Sequence, residues 1–299
     1  MNIVYPFIFF LLTVSKTVFV NSAPVTFNTA LPVAKGEYLA RQQYIINQSG
    51  TDQSQLNRAR TGKTVVTVLG YGISSKLALF GVLPFHNNSL DFTAMNGQRN
   101  TRKASGVGDT TLFARYIMLK EHQLGRNFQL APFAGIKAPT GADDKRDASG
   151  LLPPSVQPGS GAWSSLAGII STFQTLNYQI DTQLSYQLNN KTNAFQAGDI
   201  ARLDGSFQYR AWPGTLTGKV SGFLYAVIET SLIHQQNNKI NGINDGNSGA
   251  SRLFLTPGIQ YVTRRWIIES AIQIPLIQNL NGTGLENNYI ARISGRFNF

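Results

Sequence analysis

From about residue 35 to its end the chain alternates between apolar and polar positions. In YQIDTQLSYQLN, residues 178–189, Tyr178, Ile180, Thr182, Leu184, Tyr186 and Leu188 oppose Gln179, Asp181, Gln183, Ser185, Gln187 and Asn189. In the next alternating stretch Leu203, Gly205, Phe207, Tyr209 and Ala211 oppose Arg202, Asp204, Ser206, Gln208 and Arg210. The closing segment does the same, with Tyr289, Ala291, Ile293, Gly295, Phe297 and Phe299 facing away from Arg292, Ser294, Arg296 and Asn298. A period of two places these sets on opposite sides of extended strands. The pattern predicts twelve strands, near residues 37–46, 64–73, 76–85, 109–118, 128–137, 163–175, 178–189, 199–212, 220–232, 252–263, 266–276 and 289–299.

The connections alternate in length. Ser74 and Ser75, Leu176 and Asn177, and Arg264 and Arg265 make tight turns, whereas 47–63, 86–106, 138–161 and 234–250 are long, polar and rich in Asn, Gly or Pro. Short turns at one end and long loops at the other, with an even strand number, predict an all-β fold: a transmembrane antiparallel β-barrel of about 12 strands spanning residues 36–299. Tyr116, Tyr178, Tyr209, Trp212, Tyr261, Trp266 and Phe299 fall at the short-turn ends, where an interfacial girdle belongs. The apolar faces then look at lipid, and the bilayer is the first partner.

The 299-residue chain is 42% hydrophobic and has a mean hydropathy of −0.11, and beyond its first residues no run is long and apolar enough for a spanning helix. The start, MNIVYPFIFFLLTVSKTVFVNSA, reads as an export signal over residues 1–23, with a cut after Ser22 or Ala23. Residues 24–35 follow as a periplasmic N-terminal extension, either free or entering the lumen. Export without a single cysteine suits a barrel, which closes on itself. The net charge of +11 is scattered rather than gathered into a basic run, which argues against nucleic acid as a partner.

Chemistry is sparse. His86 and His234 fall in predicted long loops and His122 in a short one, and no serine or acidic residue is spaced to join them on one strand face. Asp143, Asp144 and Asp147 lie on one loop without the spacing of a calcium site. No phosphate-binding loop, dinucleotide fingerprint or zinc spacing occurs. The expectation is no enzyme, no catalytic residue, no cofactor and no metal.

The inward-facing charges are more informative, because charge is costly on the lipid face. Alternation assigns the cations Arg41, Arg115, Lys137, Arg202, Arg252, Arg292 and Arg296 to the lumen. The anions Glu37, Asp181, Asp204, Glu229 and Glu269 accompany them. Closure would bring Arg292 and Arg296 near Glu37 and Arg41. These groups either interlock across a narrow barrel or form an electropositive ladder for anionic or aromatic solutes. Phe80, Phe113, Phe133 and Phe223 also face inward, as a partly apolar path or as a plug.

The C-terminal Phe299, preceded by alternating apolar residues, resembles the signature by which the outer-membrane barrel assembly machinery of Gram-negative bacteria recognises its clients. More specifically, GVGDTTLFARYIML, APFAGIKAPTGADD, GSGAWSSLAGIISTF, DTQLSYQLN, LYAVIETSL, LTPGIQYV and ESAIQIPL occur in an order that resembles the MetA-pathway phenol-degradation family of outer-membrane barrels. That resemblance covers roughly residues 106–276 and implies a transporter-like channel of the outer membrane, in some members associated with uptake of aromatic compounds. The expected function is passive passage of small solutes, aromatic or anionic. The alternative is a closed barrel with a structural or surface-adhesion role through its long external loops.

Overall fold

The computed structural model describes residues 22–215 and 220–299, so the proposed signal, up to residue 21, lies outside the described residues. Twelve strands form the wall: β1 (Tyr38–Asp52), β2 (Ala59–Gly72), β3 (Leu77–Thr93), β4 (Thr110–Tyr116), β5 (Arg126–Ala138) and β6 (Ser164–Thr175), then β7 (Tyr178–Asn189), β8 (Ile200–Trp212), β9 (Phe223–Gln235), β10 (Ala250–Val262), β11 (Trp266–Leu280) and β12 (Leu285–Asn298). Each pairs antiparallel with the next, and β12 pairs with β1. The last residue completes the seam: the Tyr38 and Phe299 backbones exchange hydrogen bonds of 2.7 and 2.9 Å. Among the described residues the ring of twelve strands has no open edge between first and last.

Strand lengths depart from the sequence pattern at the external end. Many polar residues of predicted loops continue the ladder: β1 and β2 extend into 47–63, and β3 runs through His86 to Thr93 before a hairpin returns as a strand over Arg99–Val107. Apolar alternation reports the membrane-embedded part of a strand, whereas a ladder standing in water needs only backbone pairing. At the periplasmic end Leu119–Gln123 pairs with the start of β5, so His122 sits on a projecting hairpin rather than in a turn.

The outward face matches a lipid contact. Ile180, Leu184, Leu203, Phe207, Ile228, Ile259, Ile268 and Ile293 are exposed. Aromatics gather at the short-turn end, where Tyr38 packs on Tyr71 at 4.7 Å and on Phe299 at 5.7 Å, and Tyr261 on Trp266 at 5.5 Å. Between β11 and β12 the ladder stops at Gln273 and Ile290. Above that point the Gln278 side chain takes the place of backbone, donating to the Asn287 carbonyl (3.0 Å) and accepting from its N–H (2.8 Å).

Candidate functional site: a lumen filled by the N-terminal segment

The register divides the barrel interior into two walls. From β2 to β6 the inward residues are mainly apolar: Val68, Phe80, Val82, Phe113, Phe133, Leu166 and Ile170. The phenylalanine rings lie flat over inward glycines. A Cβ on Gly70 would come within 2.8 Å of the Phe80 ring, and one on Gly168 within 2.6 Å of Phe133. From β7 round to β1 the inward positions are mainly polar, with Gln179, Asp181, Gln183, Asp204, Ser206 and Gln208 followed by Glu229, Ser231, Gln260, Glu269 and Ser294, all buried, and apolar residues such as Val227 and Ile267 among them. The alternation makes both walls, and strand order puts them opposite one another.

Between the walls runs the segment from Ser22 to Val33. Residues 22–33 lie inside the barrel, whereas Ala34 and Lys35 are exposed. Val25, Phe27, Ala30, Leu31 and Val33 are buried, with Ala30 and Val33 in one cluster with Phe80, Phe113, Phe133 and Ile170. The three phenylalanines therefore support a segment of chain instead of lining an open apolar path. Phe223 faces inward nearer the periplasmic end, with the Arg210 guanidinium 5.9 Å from its ring centre.

On the polar side the segment is held through its backbone, as an extended chain without a ladder must be. Glu229 is the principal anchor. One carboxylate oxygen accepts from the Val25 N–H at 2.7 Å and the Ser206 hydroxyl at 3.2 Å, and the other from the Thr26 N–H at 3.0 Å and its hydroxyl at 2.5 Å. Arg41 donates to the Val25 carbonyl at 2.7 Å and also pairs with Glu269. Gln43 reaches the same carbonyl at 3.2 Å. Arg115 donates to the carbonyls of Thr29 and Leu31 while its guanidinium lies 4.8 Å from the Phe80 ring centre. Thr172 bonds the Ala30 N–H at 2.8 Å, and Gln260 holds Ala23. Thus Arg41, Arg115 and Glu229, assigned to the lumen from the sequence, hold one backbone, and Glu269, assigned with them, pairs with Arg41.

The remaining charges divide in two. Asp204 is satisfied by Arg202 at 2.7 Å and Ser231 at 2.6 Å, and Lys137 stands 4.0 Å from Asp109. Arg252, Arg292 and Arg296 face inward with no carboxylate partner among the described residues, and the Nε atoms of Arg252 and Arg292 are buried and unpaired. Arg292 makes one hydrogen bond, to Gln273 at 3.1 Å, and Arg296 one, to Asn298 at 3.3 Å. The expected meeting with Glu37 does not occur. Glu37 precedes β1, half-exposed, and the carboxylate beside Arg41 is Glu269, two strands away around the seam.

The external mouth is partly covered by the connection 139–161. Leu152 and Val156 pack on Leu90 and Ala104, inward residues of the extended hairpin, and Arg60 donates to the Ser155 carbonyl at 2.9 Å. Asp109, at the break between Arg99–Val107 and β4, accepts from the N–H groups of Gly141 (3.2 Å) and Ser160 (3.0 Å) and from the Ser160 hydroxyl (2.5 Å). Asp109→Ala would leave those buried donors unmatched at about 1–3 kcal/mol each. We expect cleavage within 139–161 by protease added to intact cells to rise at least tenfold; unchanged cleavage would show that apolar packing alone holds the loop.

Like His122, the other two histidines lie elsewhere than the sequence pattern places them. His86 is in β3 facing inward, bonded to Thr64 at 3.0 Å. His234 ends β9 on the outer face, with its Nδ1 2.8 Å from the Ser251 hydroxyl on β10. This serine was missed because it lies across a strand pair rather than along one strand. No hydrogen bond to the second ring nitrogen of either histidine is present among the described residues, so neither ring is oriented by a third group.

The fold and family are those of outer-membrane barrels. A family model described as "Putative MetA-pathway of phenol degradation" matches residues 44–268. A solved outer membrane channel from Pseudomonas putida F1 superposes with a TM-score of 0.69 at 13% identity, covering 93% of this chain and 100% of that one. The β domain of the Bordetella autotransporter BrkA gives a TM-score of 0.47 at 13% identity, covering 89% of this chain and all of the other. The translocator domain of the autotransporter NalP from Neisseria meningitidis gives 0.42 at 12% identity, with 88% of each chain covered. A search of curated protein sequences finds no significant match. A closed twelve-stranded antiparallel barrel with a lipid-facing apolar band is a protein of the Gram-negative outer membrane.

Proposed function

The chain belongs to the family described as "Putative MetA-pathway of phenol degradation", and from that premise we propose that it is an outer-membrane channel for diffusion of small anionic or aromatic solutes past the seated N-terminal segment. The observation that carries this reading is the charge imbalance on the polar wall. The carboxylates Asp181, Asp204, Glu229 and Glu269 are satisfied by neighbouring donors, while Arg252 and Arg292 keep unpaired nitrogens facing the lumen. Unmatched guanidinium groups in a narrow conduit favour anions and planar, electron-rich solutes. No covalent step is involved, and the P. putida channel of the same fold supports a transport role.

Planar-bilayer recording tests the proposal. The wild-type protein should show small anion-preferring currents in a potassium chloride gradient, and Arg252→Gln with Arg292→Gln should move the reversal potential toward zero or to cation preference. An unchanged reversal potential would remove these residues from the permeation path. The filled lumen favours a second reading, a closed barrel acting through its external loops, and the absence of current at any voltage would establish it.

A further inference from the structure

The outer face of β2, β3 and the strand Arg99–Val107 changes character abruptly along its length. Reading from the periplasmic end, the outward pairs are Tyr71 with Leu79, Leu69 with Gly81, Thr67 with Leu83 and Val65 with Phe85. The next outward pair is Lys63 with Asn87, then Thr61 with Ser89. On the neighbouring strand Val107 lies beside Phe85, Ser105 beside Asn87 and Lys103 beside Ser89. With about 3.3 Å per residue and a tilt of roughly 40°, the distance from Tyr71 to Val65 and on to Lys63 is about 20 Å along the membrane normal. The lysines therefore begin where the hydrocarbon ends, at the headgroups of the outer leaflet.

Both lysines are exposed, and neither takes part in an ion pair among the described residues. The strand register separates them by two strands and two residues, about 12 Å. Asn87, Ser89 and Ser105 lie between them with hydroxyl and amide groups, while Leu83, Phe85 and Val107 form the exposed apolar surface just below. Among the described residues the other outward cations of these strands are Arg99, at the far external end of the same hairpin strand, and Arg126, at the periplasmic end of β5. At the external end of the wall the outward positive charge is therefore confined to this hairpin and β2. The inner face of this same hairpin is covered by Leu152 and Val156, which stiffens the surface that carries the lysines.

We propose that Lys63 and Lys103, with Asn87, Ser89 and Ser105, form a binding site for the phosphorylated glycolipid of the outer leaflet, its phosphates on the two ammonium groups and its acyl chains along Leu83, Phe85 and Val107. Height and charge together select this occupant. A soluble anion would gain nothing from the apolar strip, and a phospholipid of the inner leaflet does not reach this level. Each ammonium contributes a charge-assisted contact to an anionic lipid surface, and the hydroxyls add direction.

The test is retention of lipid by the full-length barrel purified in mild detergent. Native mass spectrometry should detect bound lipopolysaccharide on the wild type after incubation with material carrying intact lipid A phosphates. The Lys63→Gln, Lys103→Gln double variant should retain about thirtyfold less, from the loss of two surface contacts. Lys63→Arg with Lys103→Arg should restore retention, and Lys191→Gln with Lys239→Gln, in the external loops, should leave it unchanged. A heat-modifiable gel shift establishes that each variant is folded. Equal retention by the double glutamine variant would overturn the proposal, as would equal binding of dephosphorylated lipopolysaccharide or phosphatidylglycerol, or competition by millimolar inorganic phosphate alone.

Discussion

Replacing residues 22–33 with a Gly/Ser stretch of equal length is expected to raise single-channel conductance several-fold. A twelve-stranded barrel with strands about 4.8 Å apart and tilted about 40° is roughly 24 Å across its backbone. Inward side chains reduce this to about half, and an extended chain with its side chains is itself about 10 Å wide. The native segment thus takes most of the section, and loss of Val25, Phe27, Leu31 and Val33 removes the apolar side chains that fill it. A covalent lock supplies the complementary measurement. The Thr29 and Thr172 hydroxyl oxygens are 3.0 Å apart and the chain has no cysteine, so Thr29→Cys with Thr172→Cys forms one defined bridge. If solutes pass beside a seated segment, the oxidised and reduced proteins conduct alike. A current that collapses on oxidation would mean that the segment must leave the lumen for conduction.

Glu229→Ala is expected to cause the largest change from a single side chain. The carboxylate is fully buried and receives two backbone N–H groups and two hydroxyls. Alanine leaves those donors in a confined space at about 1–3 kcal/mol each unless water enters. The anchor of Val25 and Thr26 is lost, and the segment should exchange between seated and released forms. Rapid current fluctuations to a larger level should appear, and the temperature of the heat-modifiable transition should fall. Glu229→Gln should give an intermediate result, since its oxygen accepts one set of donors while its amide opposes the other. Quiet wild-type currents from Glu229→Ala would show that Arg41, Arg115 and the apolar cluster suffice to hold the segment.

The faces of the wall were readable from the chain because pleating is local. Asp181, Asp204 and Glu229 alternate with Ile180, Leu203 and Ile228 whatever surrounds them, and the register places each on the face that alternation assigned. Strand ends were less legible. His86 and the polar residues near it continue β3 beyond the membrane, where ladder hydrogen bonds persist without apolar patterning. The segment in the lumen left a faint trace, Val25, Phe27, Leu31 and Val33 at alternating positions in a stretch with no partner strand. Their burial depends on a cavity built by residues far along the chain.

By itself, then, the sequence determines an all-β chain, twelve strands, the lipid and lumen faces, and the aromatic rim that Phe299 closes. Tertiary structure alone decides which charges meet. Glu229 holds Val25 across 204 positions of sequence, Arg41 finds Glu269 instead of Glu37, and Arg252 and Arg292 are left without a carboxylate among the described residues. The reason is physical: the side a residue faces is fixed by its own backbone, whereas its partner across a lumen is fixed only when the barrel closes and brings remote strands into register.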